Sequence, residues 1–351
     1  MVYADYAATH PYVKYPSSAY GSFLNPNANY AYKEKRLLSK AENRVKKAIG
    51  AKSGKVVFGG TSSQLIENLF TCVYEETNEY LTICSIYEHD SVWRFADQWG
   101  NIDSLKHVIQ TYHGDNQLIV CLMGVNNLTG EIFPIEEIGK LCHEHDAFYI
   151  CDMTAMIGKA PIPVNIDRWC DCAVWSGHKL GTELGIGAMW ISDRLDEWLN
   201  GFKLHGTPNL AGALAMTQAV EDACDIETVE KNDLYWAELA NKFGGLLAKN
   251  NIEHTFVPSI FINYTYAINA IRLPGFNADA LQQYLASKQI YVSIGGSACA
   301  EKHDYRVLNA YGLSNDEASE VIRVSFGEDS SVEDVEALVE GIKNFKELYV
   351  K

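Results

Sequence analysis

Short apolar runs alternate with stretches of helical periodicity from about residue 33 to residue 223. The runs predict strands at 56–58, 80–84, 118–122, 147–151, 172–176 and 186–191. A helix over 134–145 begins at Pro134, a residue that is common in the first turn of helices. Because strands that alternate with helices form parallel sheets, the pattern predicts an α/β domain with a mostly parallel mixed sheet between helices.

The pattern changes after Ala223, where a charged helix over 228–249 begins a region of shorter elements. This region predicts strands at 269–273, 290–294 and 321–326, with a helix over 277–288. The last helix is predicted to start at a capping box of Ser331 and Asp334, and an apolar stripe follows on one of its faces. We therefore predict a large domain over 1–225 and a smaller α+β domain over 226–351.

Composition and charge narrow the functional class. The chain has 351 residues, of which 47% are apolar, enough to form a core in each of two domains. Its net charge of −16 disfavours nucleic acid or an anionic membrane as the main partner. No stretch approaches the ~20 apolar residues that cross a bilayer, and the start has no basic segment followed by an apolar run. We expect a cytoplasmic protein.

Nine cysteines are scattered along the chain without a CxxC pair or a regular spacing. Such spacing indicates neither a disulfide framework nor a zinc site. We expect most of these cysteines to be reduced and buried, and we predict no metal site.

Polar side chains follow several predicted strands of the first domain, at the edge where open α/β sheets place their ligand sites. Thr61, Ser62 and Ser63 lie between a strand and a helix, so they could bind a phosphate at the helix N-terminus or act as an ordinary cap. His89 follows the second strand, and Asp152 follows the strand predicted over 147–151. A carboxylate in such a position is usually a cap or turn residue.

Ser176, His178 and Lys179 end the strand at 172–176. A lysine at this point could lie on the surface. A desolvated lysine amine, in contrast, has a lowered pKa and can form a Schiff base with a carbonyl cofactor. An aspartate facing a ring nitrogen would then stabilise a protonated pyridine.

The order of the segments along the chain carries more information than any one of them. The chain contains, in this order, YADYAATHPY, LNPNANY, GGTSSQ, YEHDSV, NNLTGE, IGKAPI, VWSGHKLG, HGTPN, SIGGSACAE and VIRVSFG. This succession resembles the class V aminotransferase family, and within it the NifS-like cysteine desulfurases, almost from end to end.

The resemblance implies a fold-type I transferase that depends on pyridoxal 5'-phosphate. In such an enzyme Lys179 would bind the cofactor covalently, Asp152 would pair with the pyridine nitrogen, and His89 would stack on the ring and shuttle protons. The resemblance further implies roles for residues that bind the phosphate or the substrate: Ser62, Ser63, Ser176 and His178 at the phosphate, Asn127 beside the ring and the substrate, and Arg323 at the substrate carboxylate. Thr207 would reach the phosphate of the neighbouring subunit, which implies a homodimer with shared sites.

Cys299 decides between the reactions that the family catalyses. A cysteine between Ala298 and Ala300 is by composition more often an inert core residue than a nucleophile. Here it follows the small residues GGSA and aligns with the desulfurase cysteine. The resemblance therefore implies conversion of L-cysteine to L-alanine with a persulfide on Cys299, and a sulfur-acceptor protein as a possible partner.

Two departures from the family pattern keep other reactions open. Ala155 stands where the family has a glutamine that bonds the phenolic oxygen of the cofactor, and the glycine-rich segment before HGTPN is absent. One alternative is another class V aminotransferase or lyase, for example one similar to selenocysteine lyase. The other is a degenerate family member that binds the cofactor without turnover.

Overall fold

The computed structural model of the chain describes residues 1–76, 79–258, 263–295 and 304–350. Contacts between residues divide the chain into two compact units. The large unit comprises residues 12–125 and 133–229, and the small unit comprises residues 1–11, 126–132 and 230–351.

The strands in chain order are β1 (Val2–Tyr3), β2 (Lys55–Gly59), β3 (Tyr80–Ser85), β4 (Gln98–Gly100), β5 (Gln117–Cys121), β6 (Phe148–Asp152), β7 (Cys172–Ser176), β8 (Gly187–Ile191), β9 (Thr255–Val257), β10 (Ile268–Arg272), β11 (Ile290–Tyr291), β12 (Ser293–Ile294) and β13 (Val321–Ser325). The helices are α1 (Tyr32–Ala48), α2 (Ser62–Glu76), α3 (Asp90–Trp93), α4 (Ile102–Thr111), α5 (Ile135–Glu144), α6 (Asp193–Trp198), α7 (Leu210–Ala223), α8 (Ile226–Lys249), α9 (Ala278–Ser287), α10 (Arg306–Ala310), α11 (Asn315–Ala318) and α12 (Val332–Tyr349).

The large unit is built on one sheet with the strand order β2-β8-β7-β6-β5-β3-β4. Strand β8 is antiparallel to both of its neighbours, and the remaining neighbouring pairs are parallel. The predicted mostly parallel mixed sheet is therefore confirmed. Since all strands except β8 run in one direction, Gly59, Ser85, Asp152 and Ser176 end their strands at the same edge.

The central strands are buried on both faces, which explains why they appear in the sequence as continuous apolar runs. Every residue of β6, β7 and β8 is buried. Helix α2 covers one face of the sheet with Leu65, Leu69 and Val73, which pack in a core with Ile150 and Val174. This packing fixes the start of α2 against the sheet.

The small unit contains an antiparallel sheet of order β12-β13-β10-β9 and a two-stranded parallel ladder of β1 with β11. The single strand predicted over 290–294 is wrong in one respect, because it divides between these two sheets. Tyr291 pairs with Tyr3, whereas Ser293 pairs with Arg323 of β13. Helix α12 has the predicted capping box of Ser331 and Asp334.

The two units are not separated by a single point in the chain. The main boundary lies between Val229 and Glu230, but residues 1–11 and 126–132 also cluster with the C-terminal part. The first of these segments is held by main-chain pairing, since the N–H of Ser325 donates to the carbonyl of Ala4 at 2.8 Å. The division into domains near residue 225 stays a prediction.

Eight cysteines lie in the described ranges as free thiols, and six of them are buried. Within the same ranges, no helix is both long and apolar enough to cross a membrane.

Candidate active site

Asp152 ends β6 at the edge where the parallel strands of the large unit terminate. The residue is 7% exposed, and Oδ1 of its carboxylate accepts a hydrogen bond of 2.8 Å from the backbone N–H of Thr154. No lysine, arginine or histidine in the described part of the chain forms an ion pair with it. Since a buried carboxylate without a cation is costly, this position suits a ligand that carries its own positive charge.

The start of α2 offers two hydroxyl groups next to the sheet. Thr61 caps this helix, because its Oγ1 accepts from the backbone N–H of Gln64 at 3.1 Å. The cap therefore does not use Ser62 or Ser63, and their side chains form no hydrogen bond within the described ranges. Free backbone N–H groups and hydroxyls at the positive end of a helix are suited to an anion such as phosphate.

Gly187 allows the start of α2 to approach the end of β7. A Cβ at this glycine would lie 2.8 Å from the carbonyl carbon of Thr61 and 3.0 Å from the backbone nitrogen of Ser62. Gly187 is also the register partner of Ser176 across β8 and β7. Consequently Ser176, which is buried, lies beside the N-terminal turn of α2.

The turn after β7 carries His178 and Lys179, and both are partly exposed. Burial, Lys179 and Lys159 together lower the pKa of His178 from 6.5 to about 4, so its imidazole is neutral at neutral pH. Lys159 is only 6% exposed. The segment IGKAPI contains Lys159, but sequence reasoning gave it no role in the site. Two ammonium groups beside a neutral imidazole create a local positive potential that favours a phosphate.

His89 lies in the loop after β3 and caps the short helix α3. Its Nδ1 accepts from the backbone N–H of Ser91 at 3.2 Å and lies 2.9 Å from the Ser91 hydroxyl. The neutral ring therefore carries its proton on Nε2. The preceding Glu88 is buried and accepts hydrogen bonds from the Ser85 hydroxyl at 2.8 Å and from the backbone N–H of Met123 at 2.6 Å. This carboxylate ties the loop to the end of β5 and so positions the His89 ring.

In the small unit, the side chain of Arg323 is buried at the centre of β13. Its Nη2 donates to Oδ1 of Asp5 at 2.8 Å and to the Ser293 hydroxyl at 2.9 Å, and its Nη1 donates to the carbonyl of Asn127 at 2.9 Å. Its Nε is buried and has no acceptor among the described residues. Asn127 is itself partly exposed, and it belongs to a loop that the Asn126 side chain holds through the backbone N–H groups of residues 128 and 129.

Three further positions, Thr207, Ala155 and Cys299, differ in what the structure shows of them. Thr207 is exposed in the loop before α7, next to Gly206, whose carbonyl accepts from the side chain of Asn27 at 2.9 Å. Ala155 is buried and offers no polar side-chain atom where the resemblance predicts a glutamine. Cys299 lies outside the described residues.

Comparison with known proteins identifies the family. The sequence pattern of the aminotransferase class-V family matches residues 3–338, which is nearly the whole chain. The chain belongs to this family. A cysteine desulfurase IscS of Rickettsia felis is 27% identical over 385 aligned residues, which cover 97% of this chain and 89% of the relative. A mitosomal cysteine desulfurase of Trachipleistophora hominis is 27% identical over 376 residues, which cover 93% and 81% of the two chains.

Solved structures show the same fold. The X-ray structure of a NifS-like protein from Rickettsia africae has a TM-score of 0.83 at 21% identity and covers 99% of both chains. A structure of SspA in complex with cysteine has a TM-score of 0.72 at 22% identity, covering 93% of this chain and 99% of that one. The class V aminotransferase fold, predicted from the order of motifs, is thereby confirmed.

Enzymes of the aminotransferase class-V family depend on pyridoxal 5'-phosphate, and this chain is a member of that class. The residues at the sheet edge suit the cofactor. Asp152 is a buried carboxylate without a cationic partner in the described ranges, and the start of α2 with Ser176 offers hydroxyl groups for a phosphate. Ala155 is the exception, since it cannot bond a phenolic oxygen.

Proposed function

We propose that this protein is a cysteine desulfurase that converts L-cysteine to L-alanine and retains the sulfur as a persulfide on Cys299. The observation that carries the proposal is the buried Asp152, which has no cationic partner among the described residues and lies at the same edge as Lys179 and the start of α2 with its hydroxyl groups. The two relatives are named cysteine desulfurases, and this chain aligns with most of their length. Their names support the choice of substrate.

Three side chains act at the cofactor ring in this proposal. Lys179 would hold the cofactor covalently through Nζ and would move the proton of the substrate Cα. Asp152 would hold the proton on the pyridine nitrogen, and His89 would stack on the ring and shuttle protons through Nε2. The bound cofactor supplies an electron sink that stabilises negative charge at the substrate carbon.

The phosphate group is held by hydroxyls and by local positive charge. We assign it to Ser62, Ser63, Ser176 and His178, and we add Lys159 as a buried ammonium group that contributes to the potential. Phosphate oxygens accept hydrogen bonds at a helix N-terminus without displacing the Thr61 cap. These contacts orient the ring and need no chemical change during the reaction.

Arg323 binds the carboxylate of the substrate, and Asn127 contributes its side-chain amide to the cofactor ring and the substrate. The buried Nε of Arg323, which has no acceptor among the described residues, supports this assignment. A charged hydrogen bond to a carboxylate is stronger than a neutral one. This contact selects α-amino acids over simple amines.

Cys299 accepts the sulfur. Its thiolate attacks Sγ of the substrate, and the new S–S bond forms while the Cβ–Sγ bond breaks. The electron pair of the broken bond stays on Cβ, which takes a proton to become the methyl group of alanine. A thiolate of a sulfur-acceptor protein then attacks the outer sulfur, and as this new S–S bond forms, the S–S bond to Cys299 breaks and releases the Cys299 thiolate.

Mass spectrometry of peptides from the digested protein tests the sulfur transfer. After exposure of the loaded enzyme to L-cysteine, one added sulfur atom is expected on the peptide that contains Cys299, and Cys299→Ala should abolish both this mass and alanine production. Cys224→Ala is the matched control, since burial raises the pKa of the Cys224 thiol to about 12 and keeps it protonated. Alanine formation that survives Cys299→Ala excludes the persulfide mechanism.

Borohydride reduction tests the attachment of the cofactor independently of activity. The reduced cofactor is expected on the peptide with Lys179 and to be absent from Lys179→Ala. Lys140→Ala, which removes an exposed lysine on α5, should keep the label.

The buried Ala155 favours one alternative, a family member that binds the cofactor and does not turn over. The two possibilities separate in a panel of amino acids that includes selenocysteine. Labelling of Lys179 without turnover of any amino acid supports the degenerate member, whereas turnover of selenocysteine alone supports a lyase.

The large unit exposes large apolar side chains, which supports a homodimer. Tyr30, Tyr32 and Leu184 are 73%, 78% and 80% exposed. Hydrogen bonds from Tyr15 to the carbonyl of Gly181, and from Ser17 to the Glu183 carboxylate, hold the N-terminal segment beside the turn that carries Leu184. Aromatic side chains such as tyrosine are enriched at protein interfaces. We propose a cytoplasmic homodimer in which Thr207 reaches the phosphate of the partner.

A further inference from the structure

The guanidinium of Arg323 is fixed on two of its three nitrogens by groups of the small unit. Nη2 donates to both Asp5 and Ser293, and Nη1 donates to the carbonyl of Asn127. A guanidinium has five N–H donors, so three are occupied here. The Nε donor is buried and has no acceptor in the part of the chain that the structure describes.

Main-chain pairing brings Asp5 to this position. Asp5 forms a parallel bridge with Ser325, and the hydroxyl of Ser325 accepts from the N–H of Ala7 at 2.9 Å. Ser293 is the register partner of Arg323 on the neighbouring strand. Its hydroxyl lies 2.9 Å from each carboxylate oxygen of Asp5. The carboxylate, the hydroxyl and the guanidinium thus form a closed set of three mutual hydrogen bonds.

We infer that Asp5, together with Ser293, is a positioning residue that holds Arg323 so that Nε is presented to the carboxylate of an amino-acid substrate. This inference rests on the proposed function, in which Arg323 binds that carboxylate. A long arginine side chain that is fixed in advance loses less conformational entropy when its ligand binds. Asp5 also balances the charge of Arg323 while no ligand is present, which removes the cost of an unpaired buried cation.

A competing role for Asp5 predicts the opposite effect on substrate binding. A resident carboxylate on Arg323 would compete with the substrate carboxylate, and its removal would then strengthen binding. The geometry favours positioning, because Asp5 and Ser293 occupy Nη2 whereas Nε is a buried donor that has no acceptor among the described residues. A ligand on Nε does not need to displace Asp5.

The test measures the binding of L-alanine and of L-alaninamide to the cofactor-loaded protein by calorimetry. The two ligands differ only in the carboxylate, so a general structural defect weakens both, whereas a defect in Arg323 weakens L-alanine alone. Asp5→Asn is expected to raise the dissociation constant of L-alanine about tenfold, which corresponds to about 1.4 kcal/mol, and to leave L-alaninamide unchanged. Ser293→Ala keeps the charge pair and should give a smaller change in the same direction.

Asp316→Asn is the matched control, because Asp316 is an exposed aspartate of the small unit in α11. In a background of Arg323→Gln, Asp5→Asn should have no further effect on L-alanine binding, as expected for two residues that act through one contact. Unchanged or tighter binding of L-alanine by Asp5→Asn, with weaker binding by Arg323→Gln, overturns the inference alone. Unchanged binding by Arg323→Gln overturns the proposed carboxylate site and the inference with it.

Discussion

The backbone N–H of Thr154 donates a hydrogen bond of 2.8 Å to Oδ1 of Asp152. This contact joins the last residue of β6 to the second residue after the strand, and it orients the carboxylate at the edge of the sheet. Neutral N–H donors stabilise a buried carboxylate less than a cation does. A buried carboxylate that is held in this way, without a cationic partner among the described residues, is available for the proposed pairing with a protonated pyridine ring.

Asp152→Asn is expected to weaken the binding of the cofactor and to abolish most turnover. Asparagine can still accept from Thr154, but it lacks the charge that, in the proposed function, holds a proton on the pyridine nitrogen. We expect turnover of L-cysteine to fall by about 100-fold, or about 2.7 kcal/mol in barrier height, and the dissociation constant of the cofactor to rise. Equilibrium dialysis and alanine production measure the two effects.

Asp115→Asn serves as control for this substitution, since Asp115 is exposed in the loop before β5. It should bind the cofactor and turn over like the wild type. Wild-type turnover by Asp152→Asn would rule out the pairing of this carboxylate with the ring nitrogen.

His178 predicts a dependence of stability on pH. Its pKa is lowered from 6.5 to about 4 by burial and by Lys179 and Lys159. Between these two values the unfolded chain binds a proton that the folded chain does not, so stability falls as the pH decreases from 6.5 toward 4. In cofactor-free protein, His178→Gln should therefore lose less thermal stability than the wild type between pH 7 and pH 5.

The control for this pH effect is His113→Gln, because His113 is exposed in the loop after α4. Its melting temperature should follow that of the wild type over the same pH range. If His178→Gln and the wild type lose the same stability on acidification, burial and the two lysines do not lower the pKa of His178.

The central strands could be predicted from the sequence because burial on both faces leaves a local signature. The strand predicted over 172–176 coincides with β7. The strand predicted over 80–84 is one residue shorter than β3, and the strand predicted over 118–122 is shifted by one residue from β5. The carboxyl edge followed from the same runs, since Asp152 and Ser176 end two of them. Local periodicity therefore placed Asp152 and Ser176 at strand ends, whereas their proposed roles at the cofactor come from the resemblance to the family.

The environment of Arg323 could not be predicted in the same way. Its ion pair with Asp5 joins residues 318 positions apart in the chain, and neither residue has a local pattern that indicates the other. The division of 290–294 between two sheets has the same cause, because β11 pairs with β1 at the start of the chain. Lys159 was missed because a single lysine in a turn carries no sign of burial.

The shared site of the proposed homodimer can be tested by mixing subunits. If Thr207 binds the phosphate of the cofactor in the partner subunit, Thr207→Ala should weaken cofactor binding in the mutant homodimer. A heterodimer of Thr207→Ala with Lys179→Ala should then regain one intact site, because the wild-type Lys179 and the wild-type Thr207 come from different subunits. Two affinity tags isolate this heterodimer, and borohydride labelling counts the sites.

One tightly bound cofactor per heterodimer is the expected result. If each subunit instead formed its own site, every site would carry one of the two lesions and no tight site would return. A monomer in sedimentation velocity at micromolar concentration would contradict the homodimer itself.

Gly187→Ala tests whether the approach of α2 to β8 forms the phosphate site. An alanine Cβ would lie 2.8 Å from the carbonyl carbon of Thr61 and 3.0 Å from the nitrogen of Ser62, and since both are backbone atoms, the start of the helix must move. We expect about a tenfold rise in the dissociation constant of the cofactor, or about 1.4 kcal/mol, with a lowered melting temperature.

Gly245→Ala is the matched control, because its added Cβ meets nothing within 4 Å in helix α8, and alanine should stabilise that helix by about 1 kcal/mol. A Gly187→Ala protein that melts lower but binds the cofactor as tightly as the wild type would show that the start of α2 does not hold the phosphate.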